Sequence, residues 1–174
     1  MADLLRGLRQ PDQRSCGAAS LVAARMLLDP AYAATVTPDR FRDEVLALHP
    51  RVTGPTDARG ALQLPWPRAL GTPPWAVARQ LSAIDADRAY AARLVLGRDP
   101  AFDRLARAAA PSVLYVGNRW LPRHVVLVVG AAETSLRVYE PSRGRLVDVT
   151  RDAFVGARLD LAGWDKPWFT VAAR

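Results

Sequence analysis

Gln10-Pro-Asp-Gln-Arg-Ser-Cys-Gly-Ala-Ala-Ser20 is the stretch on which the reading of this chain turns. It holds the only cysteine, Cys16, and a long apolar run begins directly behind it. Residues 17–28 are rich in Ala and Leu and stop at Asp29-Pro30, which predicts a buried helix with the thiol at its start. There a thiol feels the positive end of the helix dipole and unpaired backbone N–H groups, and both favour thiolate. The competing reading is a small buried hydrophobe, the usual fate of a free cysteine.

A thiolate that attacks an acyl carbon needs a base and donors for the oxyanion. Gln10, six residues upstream of Cys16, offers a side-chain amide that could join the Cys16 N–H in that role; Gln13 is the rival. One such donor contributes about 3 kcal/mol. His124 opens the run His124-Val-Val-Leu-Val-Val129 and is the candidate base, with His49 ahead of Pro50 as its only competitor. Glu140 ends the next strand-like run. Two adjacent antiparallel strands would bring it near His124, where its carboxylate could accept the other ring N–H and orient the imidazole. Asn118 and Asp148 are further candidates for that third position.

Outward from these residues, Thr37-Pro38-Asp39 starts a second helix through about Leu48. Residues 49–74 carry six prolines, with Trp66 and Trp75 at the later end, and read as a long loop of the lid or binding kind. Trp66 and Trp75 either line a cleft or pack as loop anchors. Helices are expected from Trp75 to about Ile84 and from Ala101 to Ala109, with a short strand at Arg93-Leu-Val-Leu96 between them. After Pro111 the pattern changes. Runs at 112–116, 124–129, 136–139 and 145–149, separated by turn residues, predict an antiparallel meander, and Trp168-Phe-Thr-Val171 adds a final strand. Helices first and a sheet afterwards make an α+β layout.

Composition narrows the function classes. The 174 residues suit one domain with a real core. Net charge is +7, but Lys166 is the only lysine and the arginines are spread through every segment, so no clustered nucleic-acid footprint is visible. One Cys and two distant His give no metal-ligand spacing, and no cofactor motif appears. No apolar stretch is long enough for a membrane span, and no secretory signal is visible at the N-terminus. A lone cysteine forms no internal disulfide, which fits a reducing compartment. A cytoplasmic protein, or one secreted without a signal peptide, is expected.

Together these residues resemble the papain-like cysteine peptidases, and within them the bacteriocin-processing double-glycine leader peptidases (family C39). That family shows a Gln, five residues, then Cys-Gly, as Gln10 and Cys16-Gly17 do here. It shows a His followed by Val-Val-Leu or similar, matched by His124-Val125-Val126-Leu127. Its Asp-Pro some sixteen residues further on is matched by Glu140-Pro141, with a Gly turn at Gly144. Two features depart: Glu140 stands where the family carries Asp, and the stretch from Cys16 to His124 is longer, with the Pro-rich segment 49–74 as an insertion. Double-glycine specificity is therefore not carried over.

The resemblance implies a single papain-like domain over residues 1–174, with helices around the nucleophile packed on a C-terminal antiparallel sheet. It implies a cysteine hydrolase cleaving a peptide or isopeptide bond: Cys16 as nucleophile, His124 as base and acid, Glu140 as orienter, Gln10 in the oxyanion hole. The same groups would serve glutamine deamidation or acyl transfer, as in papain-like bacterial toxins and effectors. In that case the chain is a domain cut from a larger secreted protein, with a protein target and a neutralising or carrier partner. The third reading is an inert binding module. Neither a cofactor, a metal nor a nucleic acid is called for, only a protein or peptide substrate.

Overall fold

The computed structural model describes residues 2–108 and 111–174. Asp12 sets up the first helix: its Oδ1 accepts the N–H groups of Arg14 and Ser15 at 2.8 and 2.9 Å and bends the chain into α1 (Cys16–Leu28). Asp29 ends that helix and caps the short α2 (Pro30–Ala33), accepting from Tyr32 N–H at 2.9 Å. Thr37 caps α3 (Pro38–Val52).

α3 runs one turn beyond the Leu48 expected, straight through Pro50. A proline that close to a helix end removes a single hydrogen bond from a turn that frays anyway. The Thr53 hydroxyl closes the turn by donating to the His49 carbonyl at 2.9 Å. The irregular segment is therefore 53–73, interrupted by one 3-10 turn at Arg68–Leu70. It is held from inside: Gln63 Nε2 donates to the Gly54 carbonyl at 3.1 Å, and Asp57 Oδ1 gathers Arg59 N–H and Ala61 N–H. Trp66 meets Trp75, in the first turn of α4 (Pro74–Ile84), edge to face at 5.2 Å, and the pair anchors the segment to that helix.

The rest of the chain builds six strands: β1 (Tyr90–Leu94), β2 (Ser112–Gly117), β3 (Pro122–Ala132), β4 (Ser135–Glu140), β5 (Arg145–Thr150) and β6 (Lys166–Ala173). They form one antiparallel sheet in the order β1-β6-β2-β3-β4-β5. The meander β2 to β5 is as expected. β6 crosses back to pair with β2 and carries β1 on its outer edge, a few residues earlier than the strand expected at 93–96. α5 (Arg98–Ala106) precedes β2, and α6 (Arg151–Val155) follows β5; the Ala109 end expected for α5 lies outside the described residues.

The sheet is covered on both faces. Val113, Tyr115, Val125, Leu127 and Tyr139 pack with α1, α3 and α4 in one cluster. Leu114, Val116, Val126, Val128 and Val138 pack with Phe102 of α5 and Phe154 of α6 in another. The unbroken apolar runs of β2 and β3 follow from this, because a strand buried on both sides has no polar alternation to show.

Candidate active site

Cys16 is the first residue of α1 and is only 4% exposed. Its neighbour Gly17 explains the closeness of the packing. A Cβ there would fall 2.6 Å from both Cβ and Oγ1 of Thr72, so only glycine lets residues 71–73 cross the helix start. Tyr115 of β2 fixes that crossing by donating its hydroxyl to the Thr72 carbonyl at 2.8 Å. Burial, and then the Cys16 sulfur beside it, push the Tyr115 phenol well up.

β3 delivers the imidazole. His124 is 6% exposed, and its Nε2 lies 2.8 Å from Oε1 of Glu140, which is wholly buried at the end of β4. The Cys16 thiol acts on the ring both as a hydrogen-bond partner and as a charge. With Nε2 committed to the carboxylate, Nδ1 is the nitrogen left for sulfur. Burial alone would lower the His124 pKa, but the hydrogen bonds of Cys16 and Glu140 and the charges behind them raise it to about 9.

Glu140 shows the converse balance. Burial alone would raise its pKa; the His124 ring and the turn that follows bring it down to about 2. Ser142 N–H donates to Oε1 at 2.7 Å and Arg143 N–H to Oε2 at 3.2 Å, while the Arg145 guanidinium stands 3.9 Å away. The extra methylene of Glu relative to Asp thus reaches both the ring and a backbone nest. Both amides belong to the turn that Gly144 marks in the sequence, but a backbone donor itself carries no sequence signal.

Gln10 is brought to the same end of the sheet by its backbone. Gly7 N–H donates to the Gly144 carbonyl at 2.8 Å, Gln10 N–H donates to the Pro141 carbonyl at 2.9 Å, and Tyr139 donates its hydroxyl to the Leu8 carbonyl at 2.8 Å. Gly144, at φ +60°, permits the contact, since a Cβ there would lie 2.5 Å from the Leu8 oxygen. The Gln10 side chain donates one Nε2 hydrogen to the Asp12 carbonyl at 2.6 Å, and its second remains for another acceptor.

The rival residues go elsewhere. Asn118 accepts Trp120 N–H and Leu121 N–H in the β2–β3 turn, Asp148 pairs with Arg137 at 2.6 Å, and Gln13 is exposed. His49 is buried with neither ring nitrogen hydrogen-bonded, and burial lowers its pKa against the pull of Asp12. Among the described residues no three His, Cys, Asp or Glu are grouped to hold a metal, and no helix is long and apolar enough to cross a membrane.

This fold is that of C39 papain-like peptidase domains. The peptidase domain of Streptococcus ComA, a bifunctional ABC transporter of a quorum-sensing pathway, superposes with a TM-score of 0.51 at 14% identity, over 96% of this chain and 97% of that one. A C39-like peptidase from Bacillus anthracis superposes with a TM-score of 0.53 at 13% identity, over 96% and 94%. No protein-family profile and no curated protein matches the sequence.

Proposed function

We propose that this chain is a cysteine hydrolase that cleaves a peptide or isopeptide bond, one domain in which the irregular segment 53–73 is an insertion. The observation that carries the reading is the buried His124–Glu140 pair, 2.8 Å between Nε2 and Oε1, set against a thiol at a helix start.

The chemistry follows from the charges. With its pKa raised to about 9, the ring is imidazolium at neutral pH, the partner that a thiolate nucleophile requires. The thiolate attacks the substrate carbonyl carbon, and the oxyanion takes hydrogen bonds from the Cys16 N–H and from the free Nε2 hydrogen of Gln10. His124 passes its Nδ1 proton to the leaving amine, whose departure leaves a thioester on Cys16. The now neutral ring takes a proton from water, the resulting hydroxide attacks the thioester carbonyl carbon, and the C–S bond breaks, releasing the carboxylic acid and returning the Cys16 sulfur beside the protonated ring. Glu140 keeps the ring's tautomer and angle throughout and acts as a positioning residue.

The test is to incubate the protein with a peptide library and identify the products by mass spectrometry. New amino termini that appear with the wild-type chain and not with Cys16→Ala are expected. Intact peptides bearing only the small mass gain of deamidation would reassign the chain to the deamidase reading, and no change at all would overturn both.

A further inference from the structure

Asp12 lies between Gln10 and Cys16 in the chain and bonds toward both. Its Oδ1 accepts Arg14 N–H at 2.8 Å and Ser15 N–H at 2.9 Å, and Ser15 stands at φ −92° and ψ 14°, the step into α1. The peptide plane that carries the Cys16 N–H turns with that ψ. The carboxylate that holds Ser15 therefore also aims the Cys16 donor.

The main-chain carbonyl of Asp12 serves Gln10. It accepts from Gln10 Nε2 at 2.6 Å, while the Gln10 main-chain N–H is anchored separately on the Pro141 carbonyl at 2.9 Å. A carbonyl can only accept, so it decides which end of the amide is nitrogen at that spot and leaves the second Nε2 hydrogen for an oxyanion. Ser15 is drawn into the same arrangement. Serine usually caps the helix it precedes, yet the Ser15 side chain makes no cap to α1, and its hydroxyl faces the Asp12 carbonyl at 3.4 Å. That side chain thus takes up none of the first-turn N–H groups of α1.

We infer that Asp12 is a positioning residue for the oxyanion hole: its carboxylate aims the Cys16 N–H and its carbonyl holds the Gln10 amide, so one residue keeps the two donors in register. This rests on the hydrolase reading above. The competing reading, that Asp12 only starts a helix, predicts lost stability and nothing specific to chemistry at a carbonyl. Oxyanion donors act once negative charge develops on oxygen. Misaiming them slows acyl transfer and spares a reaction of the same sulfur that forms no oxyanion.

Two reagents separate these readings. p-Nitrophenyl acetate passes its acetyl group to the Cys16 sulfur and releases p-nitrophenolate through a tetrahedral oxyanion. Iodoacetamide alkylates the same sulfur by displacing iodide, with no oxyanion. Acylation is followed by p-nitrophenolate release and alkylation by intact mass, each corrected for the Cys16→Ala background, and the ratio of the two second-order rates is compared. Asp12→Ala should lower that ratio at least about tenfold, and Asp12→Asn, which keeps an acceptor at Oδ1, should hold it within about twofold. Asp12→Ala/Gln10→Ala should lose less than the product of the two single losses. Should Asp12→Ala not fold, Asp12→Glu, whose extra methylene displaces the acceptor, takes its place. An unchanged ratio in the folded variant, an equal fall in Asp12→Asn, or single losses that multiply overturns the inference and leaves the hydrolase reading standing. Iodoacetamide labelling that is slow in the wild type and in His124→Ala alike overturns that reading and this inference with it.

Discussion

Oε1 of Glu140 and Nε2 of His124 stand 2.8 Å apart, the carboxylate wholly buried, and two backbone N–H groups from residues 142 and 143 grip the same carboxylate. A carboxylate fixed that firmly turns the ring into an oriented cation. Glu140→Gln keeps the shape and removes the charge. Turnover should fall by about ten- to a hundredfold, with the alkaline limb of the pH–rate profile moving to lower pH because the charge that raises His124 is gone. An unchanged profile would remove Glu140 from the positioning role.

The same pair sets a pH window for stability. His124 is raised from 6.5 to about 9, so its contribution is complete below 6.5 and is lost as pH rises through 9. Glu140 is lowered from 4.5 to about 2, so its contribution is complete above 4.5 and is lost as pH falls through 2. The thermal midpoint should peak between those two ordinary values and fall on either side. Glu140's share is about 3 kcal/mol. Calorimetry across pH should show both limbs flattened in Glu140→Gln.

Gln10→Ala tests the oxyanion assignment. Its amide is tied to Asp12 and not to the thiol, so its loss should leave alkylation of Cys16 unchanged. The acyl-transfer rate should drop by about a hundredfold. Equal turnover in the two proteins would exclude Gln10 as a donor.

Gly17→Ala tests the crossing of the 71–73 segment over the helix start. The added methyl meets Thr72 at 2.6 Å and should cost about 1–3 kcal/mol. Removing Thr72's side chain relieves the clash, so in the Gly17→Ala/Thr72→Gly double variant the loss should be smaller than the two single losses added. Urea titration of the four proteins measures that coupling; strict additivity would argue against the contact.

Much of the fold could be read in advance because its signals are local. The Ala- and Leu-rich run after Cys16 and the β-branched runs after Pro111 fixed α1 and the meander. What escaped reading depends on distance along the chain. Nothing near Tyr90 says that its strand pairs with Tyr90's partner Ala173, and α6 is five residues long, too short for a periodic signal. The doubly covered sheet was nonetheless written in β2 and β3, whose apolar runs lack alternation. At the site, the chemistry-bearing residues stood out as rare types, one cysteine and two histidines. The Ser142 and Arg143 amides, Thr72 and Tyr115 did not, since backbone donors and packing walls carry no mark in sequence.

The rate of Cys16 carbamidomethylation by iodoacetamide, followed by intact mass in the wild type and in His124→Ala, bears most directly on the central claim. If the imidazolium holds the sulfur as thiolate, the wild type reacts at about pH 6 at least tenfold faster than the variant, even though the smaller side chain opens more room around the sulfur. Equal, slow labelling in both proteins would contradict the account and leave Cys16 a buried thiol without chemistry.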